Sequence, residues 1–255
     1  MNKLTFIGII PARYDSSRFP GKPLALIGGK MMIQRVWERV SSVLDNVLVA
    51  TDDERIKNAV ESFGGKAVMT SKNHRSGTDR CNEAYKIAGH NEDVIINIQG
   101  DEPFIMPEQI KSIMECFNDT NTQIATLVRP FSSDNSFEEL EDWTTPKVVI
   151  DENMSALYFS RSVIPFIRGK QKTEWVKLHQ FYTHVGMYAY RADVLNNITQ
   201  LPQSSLEIAE SLEQLRWIQN GYQIKVGITK CPTIGIDTPE DLIKAEKLLT
   251  ENKNL

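Results

Sequence analysis

The sequence predicts an α/β protein built on a mostly parallel, Rossmann-like sheet, and three observations carry that prediction. Short apolar runs such as Leu4 to Ile10, Asn46 to Ala50 and Asp93 to Ile98 have the continuous hydrophobicity of strands buried on both faces. Between them, apolar residues recur at helical spacing. The strand ends run into loops rich in Gly, Pro and charged residues, where open α/β sheets place their ligands. The 255 residues, 41% hydrophobic and 24% charged, have the composition of an ordinary globular protein near the upper size for one core, so one main domain spanning 1–255 with an insertion is expected.

The first strand, Leu4 to Ile10, is followed by a loop and then by Met32, Ile33, Val36, Val40 and Val43 on one helical face. A second strand at Asn46 to Ala50 leads to a helix from Glu54 to Phe63, with Asp52 as its expected N-cap and Gly64-Gly65 as its stop. A third strand follows at Lys66 to Thr70. This repeated β-α-β pattern produces a parallel sheet with right-handed crossovers. Ser76 or Thr78 caps a helix to about Ala88, and Asp93 to Ile98 is the fourth strand.

Later elements are a helix from Met106 to about Phe117, a strand at Ile124 to Val128, and an acidic stretch from Ser132 to Asp142 expected as a mobile surface excursion. Lys147 to Ile150 and Ala156 to Ser160 read as short strands around the turn Asp151-Glu152-Asn153, and Phe181 to Tyr190 as a strand of alternating aromatics. The segment from Gly169 to Lys177 lacks periodicity. Ser204-x-x-Glu207 is a capping box for one helix through Gln219, with Gly221 as its stop; a strand at Tyr222 to Ile228 follows. Thr238 then caps a helix whose first position is Pro239, with Asp237 immediately outside it.

The formal charge of −4 argues against a general nucleic-acid binder and for small anionic partners. Cys81, Cys116 and Cys231 are odd in number and widely spaced, which indicates neither a disulfide framework nor a zinc site. No apolar run approaches the length of a membrane span, and the chain enters a strand after Met1-Asn2-Lys3, so a cytoplasmic protein is expected.

Chemistry concentrates first in Pro11-Ala12-Arg13-Tyr14-Asp15-Ser16-Ser17-Arg18-Phe19-Pro20-Gly21-Lys22-Pro23. Three cations, Arg13, Arg18 and Lys22, on a loop leaving a buried strand suit a phosphate chain; a solvated loop with ordinary surface cations is the alternative. No P-loop and no G-x-G-x-x-G is spelled, so side chains and the amides of a Ser16-Ser17 turn would hold the phosphates. Gly77 and Thr78 at the start of the third helix offer donors to a polar ligand, or merely begin a capped helix. Asp101, at the tip of the fourth strand in Gln99-Gly100-Asp101-Glu102-Pro103, is either a turn former or one of the one or two carboxylates that Mg2+ takes beside phosphates and waters.

Pro-Ala-Arg followed by Ser-x-Arg-x-Pro-Gly-Lys-Pro closely resembles the opening of the 3-deoxy-manno-octulosonate (Kdo) cytidylyltransferases, also called CMP-Kdo synthetases. The Ser-Gly-Thr-Asp-Arg, Gln-Gly-Asp-Glu-Pro, Leu-Glu-Gln-Leu-Arg and Asp-Thr-Pro-Glu-Asp runs continue that resemblance through nearly the whole chain. It implies a mixed sheet of the nucleotide-diphospho-sugar transferase type, with about 145–190 as a dimerisation extension and a homodimer as the assembly. It implies CTP and Kdo as substrates, CMP-Kdo and pyrophosphate as products, and use in lipopolysaccharide biosynthesis. Pro11, Ala12, Arg13, Arg18, Lys22, Ser76, Gly77, Thr78 and Gln99 would bind the nucleotide. Lys22 and Arg13 would neutralise phosphate charge, and Asp101 and Asp237 would ligate Mg2+.

The sugar set that the resemblance implies is Arg161, His184, Tyr188, Glu213 and Gln214. Arg161 suits a planar carboxylate through parallel hydrogen bonds. His184 and Tyr188 share one strand face and could meet hydroxyls or simply pack in the core, while Glu213 could equally lie on a solvated helix face. A cytidylyltransferase for 8-amino-Kdo or a sialic-type acid would share the nucleotide half; a non-catalytic nucleotide-sugar binder would not need Lys22 together with both aspartates.

Overall fold

A computed structural model describes residues 4–15 and 18–251. In chain order the elements are β1 (Phe6–Ala12), β2 (Leu26–Ile27), β3 (Lys30–Met31), α1 (Met32–Ser41), β4 (Asn46–Thr51), α2 (Glu54–Ser62), β5 (Ala67–Met69), α3 (Gly77–Ile87) and β6 (Val94–Asn97). There follow α4 (Pro107–Glu115), β7 (Ile124–Pro130), α5 (Phe137–Glu141), β8 (Lys147–Ile150), β9 (Ala156–Ser160), α6 (Trp175–Leu178), β10 (Tyr182–Arg191) and α7 (Ala192–Ile198). The chain closes with α8 (Ser205–Glu210), α9 (Gln214–Gln219), β11 (Ile224–Ile228) and α10 (Pro239–Glu251). It divides into two compact units, one of residues 1–110, 190–199 and 232–255, the other of 111–189 and 200–231. The extension expected at about 145–190 lies almost entirely within the second.

The first unit carries the parallel order β6-β1-β4-β5, with Gly8 opposite both Val47 and Ile96. Ile7, Ile9 and Ile10 are fully buried, as the unbroken apolar run requires, and Met32, Ile33, Val36 and Val40 form the buried stripe of α1. Because β4 lies on one side of β1 and β6 on the other, the chain reverses its direction of winding at the end of β1. At such a topological switch point open α/β sheets place their ligands, outside the strands' carboxyl ends. The loops after β1 and β6 are therefore neighbours by topology.

Asp53, and not the expected Asp52, caps α2 by accepting from the Arg55 amide at 2.9 Å. Asp52 instead receives the Arg80 guanidinium at 2.8 Å, so a buried ion pair one element away decides which aspartate is free to cap.

The second unit holds a mixed sheet in the order β11-β7-β10-β8-β9, with β11 parallel to β7 and β8 antiparallel to both β10 and β9. The acidic stretch expected as a mobile excursion contains α5, opened by a Ser136–Glu139 capping box. Phe137 and Leu140 are buried with Trp175, Val176 and Phe181, an apolar cluster that sequence periodicity over so short a helix does not reveal. The single helix expected to Gln219 is broken into α8 and α9 at Ser211, which sits in the left-handed region at φ 52°.

Candidate active site

The first unit gathers three loops on one apolar base. Phe19, Ile27, Met32, Phe104, Ile234, Ile236, Leu242 and Ala245 pack together, tying the Lys22 loop, the loop after β6 and the segment before α10 to a common floor. The Ile236 amide donates to the Asp101 carbonyl at 3.0 Å, which fixes Asp237 beside Asp101. Gly21 takes φ 72°, and its amide donates to the Tyr14 carbonyl at 2.9 Å, folding the loop so that Lys22 points back into the cluster. Gly100 is required by close approach, since a Cβ there would lie 2.9 Å from the Pro11 carbonyl oxygen.

Lys22 Nζ lies 2.7 Å from Asp101 Oδ2 and 3.1 Å from Asp237 Oδ1, and Arg18 Nη2 lies 3.0 Å from the same Asp237 oxygen. The Lys22 side chain is only 12% exposed, against 65% for Arg18. Both carboxylates thus aim at one cationic point, with Lys22 desolvated and Arg18 at the rim. Burial, reinforced by the Asp101 charge, pushes the neighbouring Glu102 carboxyl up to about 7. Lys22, Arg18, Asp101 and Asp237 are the sequence-predicted residues that the structure joins by ion pairs.

The expected nucleotide residues lie around them. Arg13 Nη2 reaches the Arg75 carbonyl at 3.4 Å, linking the β1 loop to the segment before α3. Ser76 caps α3 by accepting from the Asp79 amide at 3.1 Å, and buried Thr78 lies 3.5 Å from the Tyr190 hydroxyl. A Cβ on Gly77 would lie 3.2 Å from Pro11 Cγ, so Gly77 and Pro11 are adjacent. Ala12 is buried at the end of β1, and Gln99 lies half-buried after β6, its carbonyl accepting from Glu102 N at 3.3 Å. The Ser16-Ser17 turn lies outside the described residues.

Two features of this unit were missed in the sequence. Arg80, inside the Ser-Gly-Thr-Asp-Arg run, is fully buried and binds Thr70 Oγ1 at 2.6 Å and Asp52, so it braces α3 from behind. Asn97 is 3% exposed with no hydrogen-bond partner for Oδ1 among the described residues, and its amide nitrogen is near Gly77. A lone Asn in the run Val94-Ile95-Ile96-Asn97-Ile98 was the available signal.

The sugar set lies in the second unit. His184 Nε2 is 3.1 Å from Thr126 Oγ1, with its ring between Phe159 at 5.2 Å and Tyr188 at 5.3 Å. Desolvation pulls its pKa down to about 4, so the imidazole is neutral at neutral pH. Burial first, and then the Glu213 charge, raises the Tyr188 phenol. Glu213 Oε1 pairs with Arg216 Nη2 at 2.6 Å, and Gln214 is 4% exposed with Nε2 lacking a partner among the described residues. Arg161 donates from Nε to the Glu210 carbonyl at 2.7 Å, from Nη1 to the Trp143 carbonyl at 3.1 Å and from Nη2 to the Ser211 carbonyl at 3.3 Å.

The family described as cytidylyltransferase matches residues 7–225, a span that includes all but the first residue of β1 and most of both residue sets. The chain belongs to the cytidylyltransferase family. A 3-deoxy-manno-octulosonate cytidylyltransferase of Parabacteroides distasonis is 68% identical over 243 residues, covering 95% of this chain and 97% of its own. One of Phocaeicola vulgatus is 62% identical over 250 residues, covering 98% and 99%. The solved structure of a CMP:2-keto-3-deoxy-manno-octonic acid synthetase complexed with CTP matches with a TM-score of 0.88 at 44% identity, over 97% of this chain and 99% of that one.

For a cytidylyltransferase the donor set at Lys22 is chemically apt. Two carboxylates within hydrogen-bonding reach of a single cationic point are hard oxygen donors of the kind that fit Mg2+, which completes its shell with phosphate oxygens and water.

Proposed function

We propose that this cytidylyltransferase transfers CMP from CTP to the anomeric hydroxyl of Kdo, releasing pyrophosphate and activating Kdo for lipopolysaccharide assembly. The observation that carries the reading is the Lys22-centred cluster at the switch point, in a chain alike along its length to Kdo cytidylyltransferases. In the reaction the bond from the sugar oxygen to the α-phosphorus forms and the bond from that phosphorus to the bridging oxygen breaks. The hydroxyl loses its proton and pyrophosphate leaves with the electron pair.

Mg2+ held by Asp101 and Asp237 would lower the hydroxyl's pKa and clamp the triphosphate. Lys22 would meet charge that grows at the α-phosphate and the leaving group, while Arg13 and Arg18 hold the outer phosphates. Arg161 would face the sugar carboxylate. Neutral His184, Tyr188 and Gln214 would meet hydroxyls, and Gln214 brings a buried donor, without a partner among the described residues, that a ligand oxygen would satisfy.

Among the described residues no helix is long and apolar enough to cross a membrane, which supports a cytoplasmic enzyme. Leu157, Phe166 and Leu178, at 56%, 73% and 51% exposure, put large apolar surface on the 145–190 extension and support a homodimer formed through it.

The test is pyrophosphate release by purified protein given CTP with Kdo, 8-amino-Kdo, a sialic acid or hexose 1-phosphates. Release with Kdo and essentially none with hexose 1-phosphates is the expected result. A hexose 1-phosphate preferred over Kdo would overturn the reading.

A further inference from the structure

Glu210 lies outside every motif residue assigned above, yet it accepts two hydrogen bonds from Arg161, one on its carboxylate and one on its carbonyl. Its carboxylate accepts from the Arg161 amide at 2.9 Å and from Ser160 Oγ at 2.6 Å. Its carbonyl accepts from Arg161 Nε at 2.7 Å. The carboxylate fastens the end of β9 to the end of α8, and the carbonyl sets the plane of the guanidinium.

The bond to the carbonyl accounts for the helix break. The apolar period Ile208, Leu212, Leu215 would carry one helix from Ser205 to Gln219, but a non-glycine residue, Ser211, turns to φ 52° instead. Ending α8 there leaves carbonyls without helical donors. Arg161 supplies donors to two of them, at Glu210 and Ser211, and its third bond reaches Trp143. Lys147, fully buried, holds the same loop from the other side by donating to the carbonyls of Asp142, Thr145 and Arg161 at 2.7, 2.9 and 3.1 Å.

Among the described residues the three hydrogen bonds of the Arg161 guanidinium all go to carbonyls. Among the described residues the guanidinium is therefore oriented without being paired to a carboxylate, and two of its five N–H groups are left for a ligand. The break also brings Glu213 and Gln214 to the start of α9, directly after the segment that Glu210 anchors.

We infer that Glu210 is a positioning residue for the acid-sugar subsite: its bonds to Ser160 and Arg161 hold the guanidinium in the plane that receives the substrate carboxylate and hold the α8–α9 break that presents Glu213 and Gln214. The inference rests on the reading of Arg161 as the carboxylate's partner. Glu210 acts through these residues and touches no substrate.

Steady-state kinetics of Glu210→Ala, Glu210→Gln, Glu210→Asp and Arg161→Ala, each varied in Kdo and in CTP, test it. Glu210→Ala should raise the Kdo KM about tenfold or more and leave the CTP KM within about twofold, because only the acid's alignment is lost. Glu210→Gln should restore the Kdo KM to within about threefold, since its amide oxygen accepts from Arg161 and its other end still meets Ser160. Glu210→Asp, which keeps the charge but is one methylene short, should behave like the alanine variant, and it serves if that variant does not fold. A Kdo KM unchanged in Glu210→Ala or Glu210→Asp while Arg161→Ala raises it refutes the positioning role and spares the subsite. An unchanged Kdo KM in Arg161→Ala refutes both. Equal losses toward Kdo and CTP in Glu210→Ala and Glu210→Gln would mark a general folding defect and also overturn the inference.

Discussion

Lys22→Met keeps the length and apolar stem of the side chain and removes one charge. That charge sits 2.7 Å from Asp101 and 3.1 Å from Asp237, so it stands where a divalent cation on the same two carboxylates would also be drawn. Its removal should have two effects of opposite sign. Chemistry should slow, because a desolvated cation facing charge that develops in the transition state contributes about 100- to 1000-fold in kcat, roughly 3–4 kcal/mol. Half-saturation in Mg2+ should shift to lower concentration, because two carboxylates without a resident ammonium are a stronger oxygen-donor pair. The CTP KM should change much less than kcat, since the interaction strengthens on the way to the transition state. The assay is initial-rate pyrophosphate release with CTP, Kdo and Mg2+ varied in turn. A kcat within a few-fold of the parent, or an effect confined to the CTP KM, refutes the assignment; weaker apparent Mg2+ affinity refutes the competition between Lys22 and the metal.

Asp101→Asn and Asp237→Asn should each cost about 100-fold or more in turnover, and near-normal Mg2+-dependent activity in either would remove it from the site. Arg80→Met strands Asp52 at 13% side-chain exposure and leaves Thr70 Oγ1 without its donor, so denaturant unfolding should show a loss of about 3–5 kcal/mol; a loss below about 1 kcal/mol would show that the buried pair does not brace α3. His184 is held neutral with a pKa near 4, below its ordinary 6.5, so the unfolded chain binds a proton that the folded chain does not. That stability is whole above about pH 6.5 and falls by about 3 kcal/mol as the pH drops toward 4. His184→Gln should flatten the unfolding free energy over that window relative to the parent, and an unchanged slope would place the titration elsewhere.

The sequence by itself determined the parallel β-α framework, because buried parallel strands are spelled as continuous apolar runs and their helices as a 3.6-residue period, both local signals. It determined that Lys22, Asp101 and Asp237 are set on strand-end or helix-start loops, since Gly, Pro and capping residues mark such places within a few positions. It also marked the Ser204 and Thr238 caps and narrowed that of α3 to Ser76 or Thr78, since a cap lies within three residues of its partner. Tertiary structure alone decided which partner each charge takes. Asp52 and Asp53 are equally able to cap, and the choice falls on Asp53 because Arg80, 28 positions away, takes Asp52. The periodicity from Ile208 to Leu215 favours one helix, and Arg161, about 50 positions back, makes a break at Ser211 possible by satisfying the carbonyls it frees. Lys22 lies 215 residues from Asp237, and their contact comes from the apolar floor beneath three loops. A local pattern specifies the conformation of a segment, whereas desolvation and ion pairing depend on what the folded chain brings alongside it.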